Sequence, residues 1–324
     1  MASNRIDFID IAKGIGMFLV IVGHVETYDF INRMIYSFHM PLFFVLSGFF
    51  LKPDHFGKKS IIKDFRSIMV PYFLTGAVIC VSQFINFKDD FFQVSTSKIF
   101  SLFCVGISYN GDMLINFIGA IWFLEVLFLS KIITMCMLQC NRGRIYIYIL
   151  SIISMAFTKI TKYTLPFGIL QAITVSSFIV IGYDSYRLKL LETITNKKFV
   201  YTIVVISIIL SSFFAVSTRL NSYKYNLLSV LVSSFIVFSF LLLVRNCQVS
   251  RNCFSSKLKK IFVFCGRFSL VILCVHSVEH PNHWFNLPHN LFVIEIFVRF
   301  TYIVLLTYFL VKIKFVRYIF NIHK

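Results

Sequence analysis

The sequence predicts an all-α fold, a membrane-embedded bundle of about ten transmembrane helices. Composition is the first observation, since 58% of the 324 residues are hydrophobic and 14% are charged. A soluble domain is about a quarter charged. The second observation is that the apolar residues form blocks of about 18 to 20 residues, the length of helix that crosses a bilayer core. These blocks lack the alternation of barrel strands, so helices are the remaining way to satisfy the backbone in lipid.

Ten spans follow one another along the chain, with edges placed to within several residues. The first apolar block carries Asp10 and Lys13 and has no cleavage site after it, so we expect a membrane helix and not a secretory signal. Residues 98–108 are expected to lie at the interface. We expect residues 1–324 to form one domain. The predicted spans are 9–25, 34–51, 69–87, 113–137, 145–158, 167–183, 199–216, 225–244, 261–280 and 291–311.

Basic residues are distributed unevenly between the two sides of this bundle. With a cytoplasmic N-terminus, the inner loops and tail hold roughly three times as many Lys and Arg residues as the outer loops. Both ends of the bundle are therefore predicted to be cytoplasmic. The asymmetry accounts for the net charge of +18, so we expect no nucleic-acid partner. A basic inner face would suit anionic membrane lipids or the phosphates of a nucleotide-bearing donor.

The first helix carries Asp10, Lys13 and His24 on one side. Lys13 and His24 are eleven residues apart, which is close to three turns and about 16 Å. Ionisable groups at membrane depth are costly and need a reason. Taken alone, Lys13 could snorkel to the inner interface and His24 could cap the helix. Their shared face favours a functional site.

Polar groups also mark the second span and the loop after it. His39 precedes the small pair Ser47 and Gly48, which permits close approach of a ligand or simply of another helix. Lys63 and Arg66 follow in a basic stretch. This stretch could bind a phosphate group or be an ordinary positive-inside loop.

Glu125 lies in the fourth span, shortly after Trp122. It has no opposite charge at helical spacing, so we expect a partner on another helix or a polar cavity. In the ninth span, Ser269 and His276 are seven residues apart and share a helix face. Glu279 follows His276 towards the outer end.

The tenth span carries Glu295 and Arg299, four residues apart with the acid first. This spacing lets the two pair on one helix, and we favour a structural role for them. The outer loop before this span contains His280, His283 and His289. Their spacing matches no strong zinc pattern, so we expect no metal.

The chain resembles the membrane acyltransferase type 3 family, especially the branch described as fucose 4-O-acetylase and related acetyltransferases. The resemblance covers nearly the whole chain. Lys13 and Lys63 stand where many members have arginine, and lysine lacks the planar fork that arginine offers to phosphate. The resemblance depends on five motifs in the family's order: Lys13 with His24, Leu42–Phe49, Arg66 with Pro71-Tyr72-Phe73, Trp122-Phe123-Leu124, and Gly266 with Ser269-Leu270 and His276.

The resemblance implies acetyl-CoA or another acyl-CoA as donor, bound from the cytoplasmic side. It implies a surface glycan or its lipid-linked precursor as acceptor, and therefore a multi-pass protein of the bacterial cytoplasmic membrane. Some members carry an additional extracytoplasmic hydrolase-like domain. The chain ends soon after the tenth span, so we expect the bundle to carry out the transfer alone.

A sugar hydroxyl is a poor nucleophile and needs a base, and an imidazole has a suitable pKa near neutrality. We assign this role to His24, with a covalent acetyl-histidine as the alternative. His276 and Glu125 are expected to orient the acceptor or the catalytic imidazole. The residues expected to hold the donor are Lys13, Lys63, Arg66, Ser47 and Gly48. Those expected to hold the acceptor are Asp10, His39, Trp122 and Ser269.

Two other functional classes compete with this interpretation. A transporter or flippase for a glycan or small anion would also have charges at membrane depth, but we find no inverted repeat. A non-catalytic scaffold or sensor would leave Lys13, His24 and Glu125 unexplained. The sugar, its hydroxyl, the length of the acyl group and the oligomeric state stay open.

Overall fold

The computed structural model describes most of the chain as helix. It describes residues 2–25, 28–86, 108–109, 112–113, 119–162, 165–214, 216–249, 256–279 and 287–322. The predicted interfacial segment 98–108 lies outside these ranges except for Ser108. His280 and His283 also lie outside them.

The first half of the chain contributes helices and one short hairpin. A π-helical turn, Phe65–Met69, joins α4 to α5. Strands β1 (Ser108–Tyr109) and β2 (Asp112–Met113) pair antiparallel. The 3-10 turn Gly119–Ile121 leads into the sixth helix. The helices are α1 (Ala2–Gly23), α2 (Asp29–Tyr36), α3 (His39–Phe49), α4 (Lys58–Asp64), α5 (Val70–Asn86) and α6 (Trp122–Met137).

The second half of the chain also contributes helices and one short hairpin. Strands β3 (Val216–Ser217) and β4 (Ser222–Tyr223) pair antiparallel, with Val216 opposite Tyr223. The helices are α7 (Gly143–Thr161), α8 (Ile169–Arg187), α9 (Leu190–Thr193), α10 (Lys197–Phe213), α11 (Leu227–Val249), α12 (Ser256–Arg267), α13 (Ser269–Glu279), α14 (Phe292–Leu310) and α15 (Lys314–Ile319).

Six helical segments within the described ranges are long and apolar enough to cross a membrane. Helices α12 and α13 meet at 80° and add a seventh span if the bent pair is counted as one. The protein is therefore a mostly helical, multi-pass membrane protein. The six segments are Lys58–Ser82, Gly119–Met137, Gly143–Thr161, Pro166–Arg187, Leu227–Cys247 and Phe292–Leu310.

Three other predicted spans are helical but are shorter or more charged. α1 contains Asp7, Asp10 and Lys13 within its sequence. α3 has 11 residues and α10 has 17. A helix as short as α3 is only about 16 Å long, less than the roughly 30 Å of a hydrocarbon core. The count of ten spans and the orientation of both ends stay predictions.

The second predicted span, 34–51, is wrong as a continuous helix. α2 ends at Tyr36, and α3 begins at His39. Pro41 lies in the first turn of α3, where main-chain N–H groups have no partner within the helix, so the missing N–H of proline costs nothing. A helix break just before it is therefore inexpensive. The fourth span, 113–137, also differs, because Met113 belongs to β2.

The ninth predicted span, 261–280, bends sharply between Arg267 and Ser269. The main-chain N–H of Phe268 still donates to Phe264, and its carbonyl still accepts from Ile272. The bend thus keeps the hydrogen bonds of the residue at its centre. α12 and α13 consequently run in different directions from adjacent ends.

Glycines bring α12 against α1. A Cβ added at Gly14 would collide with the main-chain carbonyl of Phe262, and one added at Gly266 would collide with that of Asp10. Small residues permit such close packing between membrane helices, where burial from lipid adds little driving force. The contact fixes α12 along α1 and leaves α13 free to turn into the bundle.

Candidate functional site

His24 and His276 meet at one end of α1. Their rings lie edge to face, with centroids 4.9 Å apart. Nδ1 of His24 lies 2.7 Å from the main-chain oxygen of Val20. Because a carbonyl oxygen only accepts, Nδ1 is the donor in this contact, and in a neutral ring the lone pair is then on Nε2. This is the tautomer that a general base acting through Nε2 requires.

A buried chain of charged groups extends from His276 to α14. Oε2 of Glu279 lies 3.6 Å from Nδ1 of His276. Nη1 of Arg299 lies 3.1 Å from Oε1 of Glu279, and its Nη2 lies 2.8 Å from Oε1 of Glu295. Glu295 also accepts a hydrogen bond from the main-chain N–H of Leu287. The predicted pairing of Glu295 with Arg299 is confirmed as one part of this larger network.

The network places a carboxylate beside the His276 ring, at a separation of 3.6 Å that is longer than a hydrogen bond. Arg299 compensates the buried charge of this carboxylate. In the described part of the chain, no three His, Cys, Asp or Glu side chains are grouped so as to hold a metal ion.

A cavity of about 210 Å³ extends along the same face of α1. Lys13, Met17 and Val20 line it, and His24 continues their helical spacing by one turn. On α13, Leu273 lines the cavity and lies one turn before His276. The cavity therefore reaches from Lys13 towards the histidine pair, and we name it the Lys13 cavity.

The Lys13 cavity is mostly apolar. The ammonium group of Lys13 lies 5.3 Å from the centre of the Phe50 ring, which is a cation–π distance. The other polar residues that line the Lys13 cavity are Ser47 and Ser269. The hydroxyl of Ser47 donates to the main-chain oxygen of Phe44 at 2.7 Å, within its own helix. Such a passage suits a thin, flexible, mainly apolar chain whose one end is anionic.

Glu125 has the partner on another helix that the sequence predicts. It is 4% exposed and accepts a hydrogen bond from the hydroxyl of Tyr72 on α5. Its Oε2 has no hydrogen-bond partner among the described residues. Leu124 and Leu127 line the Lys13 cavity, whereas Glu125 does not. The structure therefore places this carboxyl behind the cavity wall.

Asp10 and Gly48 contact neighbouring helices and do not line the Lys13 cavity. Oδ2 of Asp10 lies 3.6 Å from Nε of Arg267. A Cβ at Gly48 would collide with the main-chain carbonyl of Ile179 on α8. Both residues thus have a packing role, while their predicted contacts with substrates stay predictions.

Four more predicted residues also lie outside the lining of the Lys13 cavity. His39 is buried, and its Nδ1 donates to a main-chain oxygen one turn earlier at 2.7 Å. Trp122 is buried at the start of α6. Lys63 and Arg66 are exposed, and Arg66 lies two residues before Ile68, which lines the cavity. Their predicted roles in binding stay predictions.

A basic groove beside α1 was not predicted from the sequence. A cavity of about 430 Å³ is lined by Asp7, Lys259, Lys260 and Arg267, among others. Nζ of Lys259 lies 3.3 Å from Oδ2 of Asp7. The clustering of these basic residues on α12 was visible in the sequence. Their position beside the Lys13 end of α1 depends on the helix contact described above.

Comparisons with known proteins identify the family of the chain. The nodulation protein NolL of Mesorhizobium japonicum is 29% identical over 183 residues, an alignment that covers 51% of this chain and 46% of that protein. The chain thus spans about half the length of this relative. No solved structure gives a significant match. A family model described as an acyltransferase domain matches residues 6–318. The chain therefore belongs to the acyltransferase type 3 family, whose members are membrane acyltransferases.

Proposed function

We propose that the protein transfers an acetyl group from cytoplasmic acetyl-CoA to a sugar hydroxyl. The acceptor is a cell-surface polysaccharide or its lipid-linked precursor, and the site of action is the bacterial cytoplasmic membrane. One observation carries the proposal: the Lys13 cavity extends from a cation on α1 towards the pair of His24 and His276. In this proposal a donor and an acceptor from opposite sides of the membrane meet at the imidazoles.

The size of the Lys13 cavity supports binding of the narrow arm of the donor. Pockets that enclose whole drug-sized ligands measure about 300 to 1,000 Å³, and this cavity measures about 210 Å³. It therefore suits the acyl-pantetheine arm and leaves the nucleotide outside. The exposed cations Lys63 and Arg66, and the groove with Lys259 and Lys260, offer charge for its phosphates.

His24 acts as the general base in this proposal. Its Nε2 accepts the proton of the acceptor hydroxyl while the oxygen forms a bond to the thioester carbonyl carbon. The carbon–sulfur bond then breaks, and the imidazolium returns the proton to the departing thiolate. A positioned base of this kind contributes about 10²- to 10⁴-fold to the rate. His276, held by Glu279, fixes the ring of His24 or the acceptor hydroxyl.

The proposal is tested with His24→Ala in the purified, membrane-reconstituted protein. We expect transfer of radiolabelled acetyl groups from acetyl-CoA to a glycan acceptor to fall at least about 100-fold. His55→Ala is the matched control, because His55 is an exposed histidine outside the site. Both variants should give the same size-exclusion profile as the parent protein. Undiminished transfer by a folded His24→Ala variant would exclude His24 as the base.

The acceptor is tested in cells. Mass spectrometry of surface glycans from a strain lacking the protein should show the loss of one acetyl group from a defined sugar. Reintroducing the parent protein should restore that group, and reintroducing His24→Ala should not. Unchanged glycans in the deletion strain would contradict a polysaccharide acceptor.

A further inference from the structure

An ion pair joins the end of α4 to α6. Nζ of Lys131 lies 2.7 Å from Oδ1 of Asp64, and the two side chains are only 20% and 15% exposed. Ion pairs in full contact with water constrain a structure little, because solvent and salt screen them. A short and mostly buried pair is a stronger constraint. Neither residue belongs to the site predicted from the sequence.

This ion pair lies towards the Lys13 end of the Lys13 cavity. α6 begins near the histidine pair, because a Cβ added at Gly119, just before α6, would lie 3.3 Å from the main-chain oxygen of Ser277 on α13. Lys131 lies nine residues into α6, which is about 13 Å further along its axis. Leu127 lines the cavity, and Lys131 follows it by one turn on the same face.

The π-helical turn Phe65–Met69 begins directly after the acid of this pair. The main-chain N–H of Val70 donates to the carbonyl of Phe65, five residues earlier, which is the hydrogen bond of a π-helix. Pro71 favours this pattern, because it has no N–H to donate to the carbonyl of Ser67 as an α-helix would require. Turns of this kind are rare and are frequent at functional sites.

The π-helical turn connects the Lys13 cavity to an exposed cation. Ile68 is buried and lines the cavity, whereas Arg66 is exposed. The ring of Phe65 packs edge to face on that of Phe128 in α6, with centroids 5.8 Å apart. Two contacts thus hold the turn against α6, namely this ring pair and the ion pair. The position of Arg66 relative to the cavity therefore depends on α6.

The two cations beside this turn differ in what they can bind. Lys131 is paired with Asp64, whereas Arg66 forms no ion pair with any residue that the structure describes. A guanidinium also presents a planar fork of donors that matches a phosphate group. Arg66 is consequently the cation suited to an anionic ligand, and the ion pair is suited to holding it in place.

We propose that Asp64 and Lys131 are positioning residues that hold Arg66 at the donor entrance of the Lys13 cavity. Their ion pair fixes the π-helical turn on α6, and the turn presents Arg66 to the phosphates of an acyl-CoA donor. Asp64 and Lys131 themselves do not touch the donor. This inference rests on the proposed function, since it takes acyl-CoA as the donor.

The experiment compares two ligands of the full-length protein in phosphatidylcholine nanodiscs by titration calorimetry. One ligand is CoA, and the other is pantetheine, which is the same arm without the nucleotide and its phosphates. The double variant Asp64→Asn with Lys131→Met removes both charges together, so neither is left uncompensated. Its Kd for CoA should rise about tenfold, because contacts to a charged phosphate are lost. Its Kd for pantetheine should equal that of the parent, whereas a distorted cavity would weaken both ligands and contradict the proposal.

Three further variants separate positioning from direct binding. Lys131→Arg keeps the ion pair and should bind CoA as the parent does. Asp64→Asn alone should weaken CoA binding. If Lys131 bound the phosphates itself, its release from Asp64 would instead strengthen CoA binding, and that result would overturn the proposal. In a protein that already carries Arg66→Gln, the double variant should cause no further loss, because the pair acts through Arg66.

Asp184→Asn is the matched control. It breaks an ion pair with Arg144 of similar length, 2.9 Å, whose partners are more exposed and do not line the cavity. Its Kd for both ligands should equal that of the parent. Equal affinity for CoA in the parent and the double variant would overturn the positioning role, while acetyl transfer that depends on His24 would still support the proposed function. Absence of CoA binding by the parent would overturn both.

Discussion

Arg299 on α14 and Glu279 on α13 form a buried ion pair, with Nη1 and Oε1 3.1 Å apart. The pair joins two helices and continues to His276 on one side and Glu295 on the other. One cation thus compensates two buried carboxylates, and one of these lies beside an imidazole. Stability and the geometry of the site are therefore coupled through Arg299.

Removing the cation should destabilise the fold. Arg299→Met leaves Glu279 and Glu295 buried without their partner, which costs about 3–5 kcal/mol. Thermal unfolding in detergent measures the effect. Arg144→Met is the control, because its pair with Asp184 at 2.9 Å is exposed and should contribute less than about 1 kcal/mol. Equal melting temperatures for the two variants would contradict the role given to Arg299.

Replacing the carboxylate should change the reaction rate more than substrate binding. Glu279→Gln keeps the shape of the side chain but removes the negative charge that lies 3.6 Å from Nδ1 of His276. Carboxylates beside a metal-bound histidine contribute about 10- to 100-fold to activity, and we expect a loss of similar size here. We expect this loss in kcat with little change in KM for acetyl-CoA. Glu192→Gln, an exposed site on α9, is the control, and an unchanged kcat in Glu279→Gln would refute positioning by Glu279.

Filling the Lys13 cavity should block the donor. Ser269→Leu adds apolar volume to the wall of a cavity of about 210 Å³. Ser269 was predicted from the sequence to hold the acceptor, but it lines the space that is proposed to hold the pantetheine arm. KM for acetyl-CoA should therefore rise about tenfold, equivalent to roughly 1.4 kcal/mol. Ser269→Ala adds no bulk and serves as the comparison. If both variants have the parent KM, the donor does not pass Ser269.

The contact between α1 and α12 should tolerate no added side chain. Gly14→Ala would push a methyl group into the carbonyl of Phe262, and such overpacking costs about 1–3 kcal/mol. Gly57→Ala is the matched control, because a Cβ there meets nothing within 4 Å. Thermal unfolding of both variants compares the costs. A near-neutral Gly14→Ala would show that the two helices can separate easily.

Periodicity was enough to predict that the face of α1 carrying Lys13 borders a cavity. Lys13 and His24 share a face because the helix repeat alone determines it, and the described structure places a cavity along that face. The same helix repeat also predicts that the adjacent residues Ser47 and Gly48 face different neighbours. Adjacent helix residues point about 100° apart, and the structure accordingly directs Ser47 to the cavity and Gly48 to α8.

Contacts between distant segments were beyond sequence reasoning. A partner for Glu125 could be predicted from the expense of a buried carboxylate, but its identity as Tyr72 depends on how α5 packs against α6. Likewise, Glu279 and Arg299 belong to different helices, so no local spacing connects them. Pro41 could have predicted the start of α3 from the sequence, since proline is well tolerated in the first turn of a helix.

Because the chain bends between Arg267 and Ser269, the position of His276 depends on the number of residues between Gly266 and His276. The close contact of Gly266 with Asp10 holds α12 in place. The direction in which each side chain of α13 points then depends on how many residues separate it from Gly266. One inserted or deleted residue would rotate every later side chain of α13 by about 100°. His276 would then leave His24 while α12 stayed docked against α1, so the number of residues from Gly266 to His276 matters as much as the two residues themselves.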